Sequence, residues 1–179
     1  MHDRRVILYI SMSLDGFIAT NDDDISWLSI AEHPGEDYGY ADFSRDIDTY
    51  IVGRKTYDKV VSLVGRFPYE GQYDCYVITR QNLPSRPGVT FYNGDVSQLI
   101  RKIRQKSGKH IYCDGGGEIV RLFMQHDLID DYIISIIPTF LGDGKRLFLG
   151  GVPGRELHLD RAESYASGLV QMRYSRVRK

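Results

Sequence analysis

Cysteine, tryptophan and long apolar runs are all scarce in this chain of 179 residues. Its two cysteines, Cys75 and Cys113, lie within apolar segments, as buried thiols usually do. Two isolated cysteines make neither a disulfide framework nor a metal site, so no metal is expected. No run approaches the roughly 18 apolar residues that span a membrane, and the N-terminal run alternates like a strand rather than a signal peptide. We therefore expect a cytoplasmic protein.

An excess of charge of either sign is also lacking. The formal net charge is −1, from 23 basic and 24 acidic residues. Nucleic acids and anionic membranes normally select a basic surface, so neither is expected as a partner. A small anionic ligand needs only a few local basic groups and is still allowed. The composition, 42% hydrophobic and 26% charged, is that of a globular protein, and the length favours one domain over residues 1–179.

Strand-like segments alternate with helix-like segments through most of the chain. Strands are predicted over 6–13, 49–52, 75–79, 89–92, 109–114 and 132–138, and helices over 40–48, 55–63, 96–106 and 118–126. Two further strands, 156–159 and 169–177, have no helix between them. This order favours an α/β fold with a mostly parallel central sheet flanked by helices and with antiparallel C-terminal strands.

A glycine-rich turn follows one of the predicted strands, where open parallel sheets bind their ligands. It reads Asp114-Gly115-Gly116-Gly117-Glu118 and opens a helix. Glycines let the backbone approach a phosphate closely, and the helix N-terminus offers free N–H groups. The alternative is a tight turn without a ligand, although three successive glycines cost extra conformational entropy on folding.

Basic side chains mark two other turns at strand ends. The second turn contains Gly53, Arg54, Lys55 and Thr56. Its basic groups, hydroxyl and helix amides can meet phosphate oxygens. In the third turn, Thr79 and Arg80 leave a strand, and an arginine there can pair with a terminal phosphate. Solvated surface side chains are the alternative for both turns. Arg54 and Lys55 lie at a helix N-terminus, where each cation costs about 0.3–1 kcal/mol, which favours a function, whereas Arg80 gains its interest from the two other turns.

Five motifs, in this order, resemble the dihydrofolate reductase superfamily. They are SLDGFIA (13–19), YIVGRKTY (50–57), VITR (77–80), GGGE (115–118) and PTFLGDGKRLF (138–148). The first and last are similar to the branch that contains the C-terminal reductase domain of bifunctional riboflavin-biosynthesis deaminase/reductases and many small stand-alone relatives. The resemblance implies a dihydrofolate-reductase-like fold and a homodimer, for which the apolar 132–141 region is a candidate interface.

The resemblance also implies NADPH as the cofactor. The turn from Gly53 through Thr56 would hold the pyrophosphate and the 2′-phosphate side, and Thr79 with Arg80 would contact the 2′-phosphate. The turn that begins at Asp114 would cradle the pyrophosphate near the nicotinamide half. Ile18 and Ala19 would lie against the nicotinamide ring. The family often carries a cis peptide at the position of Gly115–Gly116.

The substrate side departs from true dihydrofolate reductases. Their acidic residue falls near position 38–39 here, where Asp42 is the nearest carboxylate and Asp37 the alternative. Their folate-gripping arginine has no counterpart in 71–74, which argues against dihydrofolate as the physiological substrate. The resemblance places Asp15 at the substrate ribose and Trp27 and Ser135 against the substrate. A plain Asp-Gly turn and ordinary core packing are the alternatives for Asp15 and Trp27.

We therefore expect an NADPH-dependent reductase of a small molecule. Hydride would pass to a carbonyl or imine of a pterin-like or ribosylaminopyrimidine-like substrate, and Asp15, Asp42 or a water ordered by either would deliver the proton. The alternative is a non-catalytic nucleotide- or pterin-binding protein of the same fold. A flavin-binding α/β domain is a further alternative.

Overall fold

A large mixed sheet forms the centre of the computed structural model, which describes residues 4–177. The strands are β1 (Val6–Ser13), β2 (Phe17–Ala19), β3 (Ile47–Gly53), β4 (Asp74–Ile78), β5 (Val89–Tyr92), β6 (His110–Gly115), β7 (Asp131–Ile137), β8 (Lys145–Arg146), β9 (Leu157–Ser164) and β10 (Val170–Arg176). The helices are α1 (Tyr40–Arg45), α2 (Arg54–Val64), α3 (Val96–Arg104) and α4 (Gly117–Gln125). A short 3₁₀ helix, Ser26–Ala31, follows β2.

The strand order explains why the glycine and basic turns meet. Eight strands lie in the order β5-β4-β3-β6-β1-β7-β10-β9, and β2 pairs separately with β8. From β5 to β7 every pairing is parallel, whereas β10 and β9 are antiparallel. Because β3, β4 and β6 are neighbours, the turns that follow them lie at one edge of the sheet. The α/β fold with a mostly parallel sheet and antiparallel C-terminal strands is confirmed.

Successive side chains of β1 point to opposite faces of the sheet, so they contribute to two separate cores. Val6 and Leu8 belong to the aliphatic core beneath α3 and α4. Ile7 and Tyr9 belong to an aromatic core that includes side chains of α1 and α2. Each face is therefore covered, as parallel sheets require.

Most predicted elements are present with shifted ends. Asp95 caps the N-terminus of α3, since its carboxylate accepts hydrogen bonds from the backbone N–H groups of Ser97 and Gln98 at 2.7 and 3.3 Å. The helix predicted over 40–48 is shorter, because β3 already begins at Ile47, where it pairs with His110 of β6. The sequence did not indicate the 3₁₀ helix or β8.

A buried carboxylate ties four elements together at the start of β7. Asp130 is 2% exposed. Its carboxylate accepts hydrogen bonds from Arg104 at 2.5 Å, from Arg176 at 2.7 Å and from the backbone N–H of Val6 at 2.9 Å. The ends of α3 and β10 and the beginning of β1 are therefore joined to β7 through one side chain.

The strand within the predicted interface region 132–141 is internal to the sheet. β7 lies between β1 and β10, and Ser135 and Ile137 are each 2% exposed. Side chains on both faces of this strand are buried, so they are not available to a second subunit. Beyond the strand, Pro138 and Phe140 are exposed, Phe140 to 72%, so this end of the region stays a candidate interface. Within residues 4–177, no helix has both the length and the apolar character needed to cross a membrane.

Candidate functional site

A cleft of about 1700 Å³ lies at the carboxyl ends of the central strands. The structure brings every residue predicted to contact the cofactor to the lining of this cleft. These residues are Ile18, Ala19, Gly53, Arg54, Lys55, Thr56, Thr79, Arg80, Asp114, Gly115, Gly116, Gly117 and Glu118. The volume exceeds the roughly 300–1,000 Å³ of an ordinary small-ligand pocket and leaves room for an elongated ligand together with a second molecule.

Two strand-to-helix turns pack directly against each other in the floor of the cleft. A side chain at Gly53 would lie 2.8 Å from Cγ1 of Ile119, and one at Gly116 would lie 3.2 Å from the hydroxyl of Thr56. Gly115 turns the chain with a φ of +95°, in the left-handed region that favours glycine. No cis peptide bond occurs in residues 4–177, so the expected cis bond at Gly115–Gly116 is wrong. The glycines thus allow the turns to meet in a compact floor.

Gly117 has a packing role on the opposite side of the glycine turn. A methyl group there would overlap the backbone carbonyl oxygen of Arg146 and lie 3.3 Å from that of Leu147. Arg146 also lines the cleft, and its guanidinium stacks over the Phe17 ring at 4.5 Å. The first turn of α4 and the β8 segment are therefore in backbone contact, and together they form one wall.

Gly117→Ala is expected to lower the free energy of unfolding by about 1–2 kcal/mol, because the overlap with the carbonyl oxygen outweighs the better helix propensity of alanine. NADPH should also bind more weakly, since α4 must move away from β8. Urea denaturation and an NADPH titration measure the two effects. Gly150→Ala is the matched control, because an added methyl there meets no atom within 4 Å. Equal behaviour of the two variants would contradict the packing role.

The basic side chains of the cleft differ in how firmly they are held. Arg54, the first residue of α2, pairs through Nε with Asp58 at 2.7 Å and lies over the Phe91 ring at 5.4 Å. Its Nη1 is buried and has no hydrogen-bond partner among the described residues. Lys55 and Arg80 are exposed at the cleft. An arginine nitrogen that is buried without an acceptor indicates that an anionic group belongs beside it.

Asp114 is the acidic group most closely surrounded by protein in the cleft. Tyr50 and Tyr112 donate their hydroxyl hydrogens to its two carboxylate oxygens at 2.5 and 2.6 Å. Burial raises the pKa of the Asp114 carboxyl above its ordinary value, and the hydrogen bonds from Tyr112 and Tyr50 oppose this rise only in part. Burial likewise raises the pKa of both phenols well above the ordinary value, so they stay protonated donors. The carboxyl therefore takes up a proton more readily than an ordinary aspartate.

Asp15 binds the loop beside the cleft instead of pointing a free carboxyl into it. Its carboxylate accepts hydrogen bonds from the Ser13 hydroxyl at 2.6 Å and from the backbone N–H groups of Leu141 and Gly142 at 3.1 and 2.7 Å. Partial burial works to raise the pKa of Asp15, but these hydrogen bonds outweigh it and the pKa is lowered. The plain-turn interpretation fits this geometry, and the group is a poor proton donor.

The remaining substrate-side predictions also lie outside the cleft lining. Asp42 has an 80% exposed side chain that pairs with Arg45, because α1 turns this face to solvent. Trp27 is 9% exposed and packs with Ile137 in a small core, so the core-packing interpretation fits it. Ser135 is buried beneath the cleft, where its hydroxyl accepts a hydrogen bond from Gln171 at 3.2 Å. None of these three side chains therefore lines the cleft, and their roles at the substrate stay predictions.

Several cleft residues received no role from the sequence. They are Tyr9, Ser11, Leu28, Tyr40, Lys145 and Arg146. Lys145 and Arg146 belong to the late motif PTFLGDGKRLF. Their positive charges were the one feature of the sequence that could have indicated a place in the cleft. The others come from β1, the 3₁₀ helix and the start of α1, where nothing in the pattern separates a cleft residue from a core residue.

Comparison with known proteins gives a family for this chain. A family model described as RibD C-terminal domain matches residues 4–171. The chain belongs to this family. The uncharacterized protein YwjB of Bacillus subtilis (strain 168) is 39% identical over 175 residues, covering 97% of this chain and 99% of YwjB. The uncharacterized protein YyaP of the same strain is 29% identical over 188 residues, covering 97% and 96%.

Solved structures agree with membership of the RibD C-terminal domain family. A candidate riboflavin biosynthesis protein from Shewanella sp. PV-4 is 28% identical, with a TM-score of 0.88 over 97% of this chain and 99% of that one. A deaminase/5-amino-6-(5-phosphoribosylamino)uracil reductase from Thermotoga maritima is 16% identical, with a TM-score of 0.74 over 98% of this chain and 57% of that one. The latter similarity shows the fold alone. The resemblance to the riboflavin branch is thereby confirmed, and the fold is that of a reductase-like domain.

Proposed function

We propose that residues 1–179 form one reductase domain that uses NADPH to reduce a small molecule. The observation that carries the proposal is the meeting of three phosphate-suited turns with the half-buried Asp114 carboxyl in one cleft. Open parallel sheets bind nucleotides at this edge. The RibD C-terminal domain family and its reductase-named structural neighbours support the same reaction class.

The cleft residues fit a phosphorylated dinucleotide. Arg54, whose buried Nη1 has no acceptor among the described residues, and Lys55 would meet phosphate oxygens, and the N-terminus of α4 would add backbone amides. Thr79 and Arg80 would face the 2′-phosphate, while Ile18 with Ala19 offers an apolar surface to the nicotinamide. When bound, NADPH supplies the hydride.

Asp114 is our proposed proton donor, in place of Asp15 or Asp42. It borders the cleft, and its raised pKa keeps a proton available nearer to neutral pH than an ordinary aspartate does. Tyr50 and Tyr112 fix the carboxyl and exclude water from its other sides. The proton would pass from the Asp114 carboxyl to the heteroatom next to the carbon that receives hydride, in a carbonyl or imine substrate.

Arg80→Ala tests the cofactor assignment. We expect it to weaken NADPH binding by about tenfold or more, because one charge-assisted hydrogen bond to a phosphate is lost. NADH has no 2′-phosphate, so its affinity should change little. Fluorescence titration of both nucleotides against the wild type and the variant measures this difference.

Arg66→Ala is the matched control, since Arg66 is exposed and lies outside the cleft lining. It should leave both affinities unchanged. Equal losses of NADPH and NADH affinity in Arg80→Ala would show that Arg80 does not read the 2′-phosphate.

The alternative function, a non-catalytic nucleotide- or pterin-binding protein, has one observation in its favour. None of the side chains that the sequence assigned to catalysis or substrate binding lines the cleft. NADPH oxidation with any member of a carbonyl and pterin panel would reject this alternative. Tight NADPH binding without oxidation across the whole panel would support it.

We also propose a cytoplasmic homodimer. Cys75 and Cys113 are buried free thiols, which suit a reducing compartment. The proposal of a dimer is based on the family resemblance alone. The strand first expected to form its interface is internal to the sheet. A small-molecule substrate, with neither nucleic acid nor membrane as a partner, completes the proposal.

A further inference from the structure

A second pocket adjoins the cleft on the side away from the basic turns. Its volume is about 620 Å³, within the range of small-molecule sites. It shares Ser11 and Leu28 with the cleft, so the two cavities meet at these side chains. Much of its wall is apolar, formed by Leu28, Ala31, Pro34, Ile137 and Leu169.

The second pocket lacks the lysine and arginine side chains that line the cleft. Glu32, His33 and Glu36 line the second pocket, and neither lysine nor arginine is among its lining residues. The cleft, in contrast, is lined by seven basic residues, Arg54, Lys55, Lys59, Arg80, Arg121, Lys145 and Arg146, together with five acidic ones, Asp23, Asp58, Asp114, Glu118 and Asp143. The basic side chains of the combined site therefore all lie around the proposed cofactor, and the far end is lined by carboxylates without them.

The two glutamates are held differently. The Glu36 carboxylate accepts a hydrogen bond from the backbone N–H of Tyr38 at 2.8 Å, which fixes its position. The Glu32 carboxylate has no hydrogen-bond or ion-pair partner within residues 4–177. Both are exposed, so solvent weakens but does not remove their negative potential at the pocket.

Arg173 does not neutralise these carboxylates from within the pocket. This β10 side chain donates to the Gln171 side-chain oxygen at 3.3–3.4 Å and lies beside Gly39. It lines neither cavity. A phosphate placed in the second pocket would therefore face two carboxylates without a lining cation.

Resting on the proposed function, we propose that the second pocket holds the part of the substrate remote from the reacting carbon and selects an uncharged or cationic molecule over a phosphorylated one. The apolar wall takes a ring or alkyl group, and Glu32 accepts a hydrogen bond from an amine or hydroxyl. Like charges brought together weaken binding and provide selectivity against the wrong ligand. The substrate class thus differs from the phosphoribosyl compound in the name of the Thermotoga maritima protein.

A matched pair of ligands tests this selectivity without requiring turnover. The probes are 5-amino-6-(ribosylamino)uracil and its 5′-phosphate, titrated calorimetrically into the full chain in the presence of NADP⁺. We expect the unphosphorylated compound to bind about tenfold more tightly, and higher salt to narrow the difference. The double variant Glu32→Gln/Glu36→Gln should also reduce the difference in affinity between the two compounds. Glu156→Gln, at an exposed residue lining neither pocket, should leave the difference in affinity unchanged.

Three results would overturn the inference. They are tighter or equal binding of the phosphorylated compound, a preference that the double glutamine variant leaves intact, and failure of both compounds to bind at millimolar concentration. The proposed function fails separately, if NADPH neither binds nor is oxidised. A protein that oxidises NADPH but prefers the phosphorylated compound keeps its function and refutes only the substrate class.

Discussion

Asp114→Asn is expected to lower the rate of NADPH-dependent turnover by about 10²- to 10⁴-fold, the usual contribution of a positioned general acid. Asparagine has nearly the same shape and still accepts a hydrogen bond from Tyr50 or Tyr112, so the floor of the cleft should keep its structure. NADPH affinity should therefore change little. Steady-state kinetics together with a nucleotide titration separates loss of chemistry from loss of binding.

The pH profile gives an independent signature of the same acid. Because the protonated carboxyl is the active form, kcat/KM should fall as pH rises through the raised pKa of Asp114. Tyr50→Phe removes a hydrogen bond that lowers this pKa, so the fall should move to higher pH. In Asp114→Asn, the fall of kcat/KM with rising pH should disappear. A large loss in Asp42→Asn, with Asp114→Asn active, would show that the acid is assigned wrongly.

Asp130→Asn is expected to lower the free energy of unfolding by about 3 kcal/mol, the lower end of the range for breaking a buried ion pair. The carboxylate is 2% exposed and serves both Arg104 and Arg176, which are partly exposed and can regain some hydration. For a chain of this size the melting temperature should fall by about 6–12 °C. Urea denaturation and differential scanning calorimetry measure both quantities.

Asp127→Asn is the matched control for Asp130→Asn. Asp127 also pairs with Arg176, at 3.1 Å, but its side chain is 37% exposed. Asparagine tolerates its left-handed backbone, where φ is 53°. The free energy of unfolding should fall by less than about 1 kcal/mol in Asp127→Asn, as for other surface ion pairs. Equal losses for the two variants would contradict a special role for the buried carboxylate.

The cofactor half of the cleft could be predicted because local chemistry and topology coincide there. Gly53 and Gly115 end β3 and β6 and Thr79 directly follows β4, and parallel strands bring such positions to one edge. The arrangement of Tyr50 and Tyr112 around the Asp114 carboxyl could not be predicted from the sequence. It depends on the register of β3 against β6, which places Tyr50 directly opposite Tyr112, and register is not visible in either strand alone.

The substrate half was predicted less well because its residues were transferred from motifs whose surroundings differ. Asp15 keeps its place in the SLDG motif, but its carboxylate is occupied by Leu141 and Gly142. Asp42 was selected by counting along a loop of different length, and the short α1 turns it to solvent. The second pocket is built mainly by the loop and 3₁₀ helix after β2, which carry no strong periodic signal.

The position of Trp27 has a practical consequence for spectroscopy. It is the only tryptophan in the chain, and it packs against Ala31, Ile137 and Leu169, all of which line the second pocket. Much of the aromatic core lies apart from it, around Tyr50 and other tyrosines. Indole emission at long wavelength therefore reports on one end of the site, and filling of the second pocket can be followed without attaching any label.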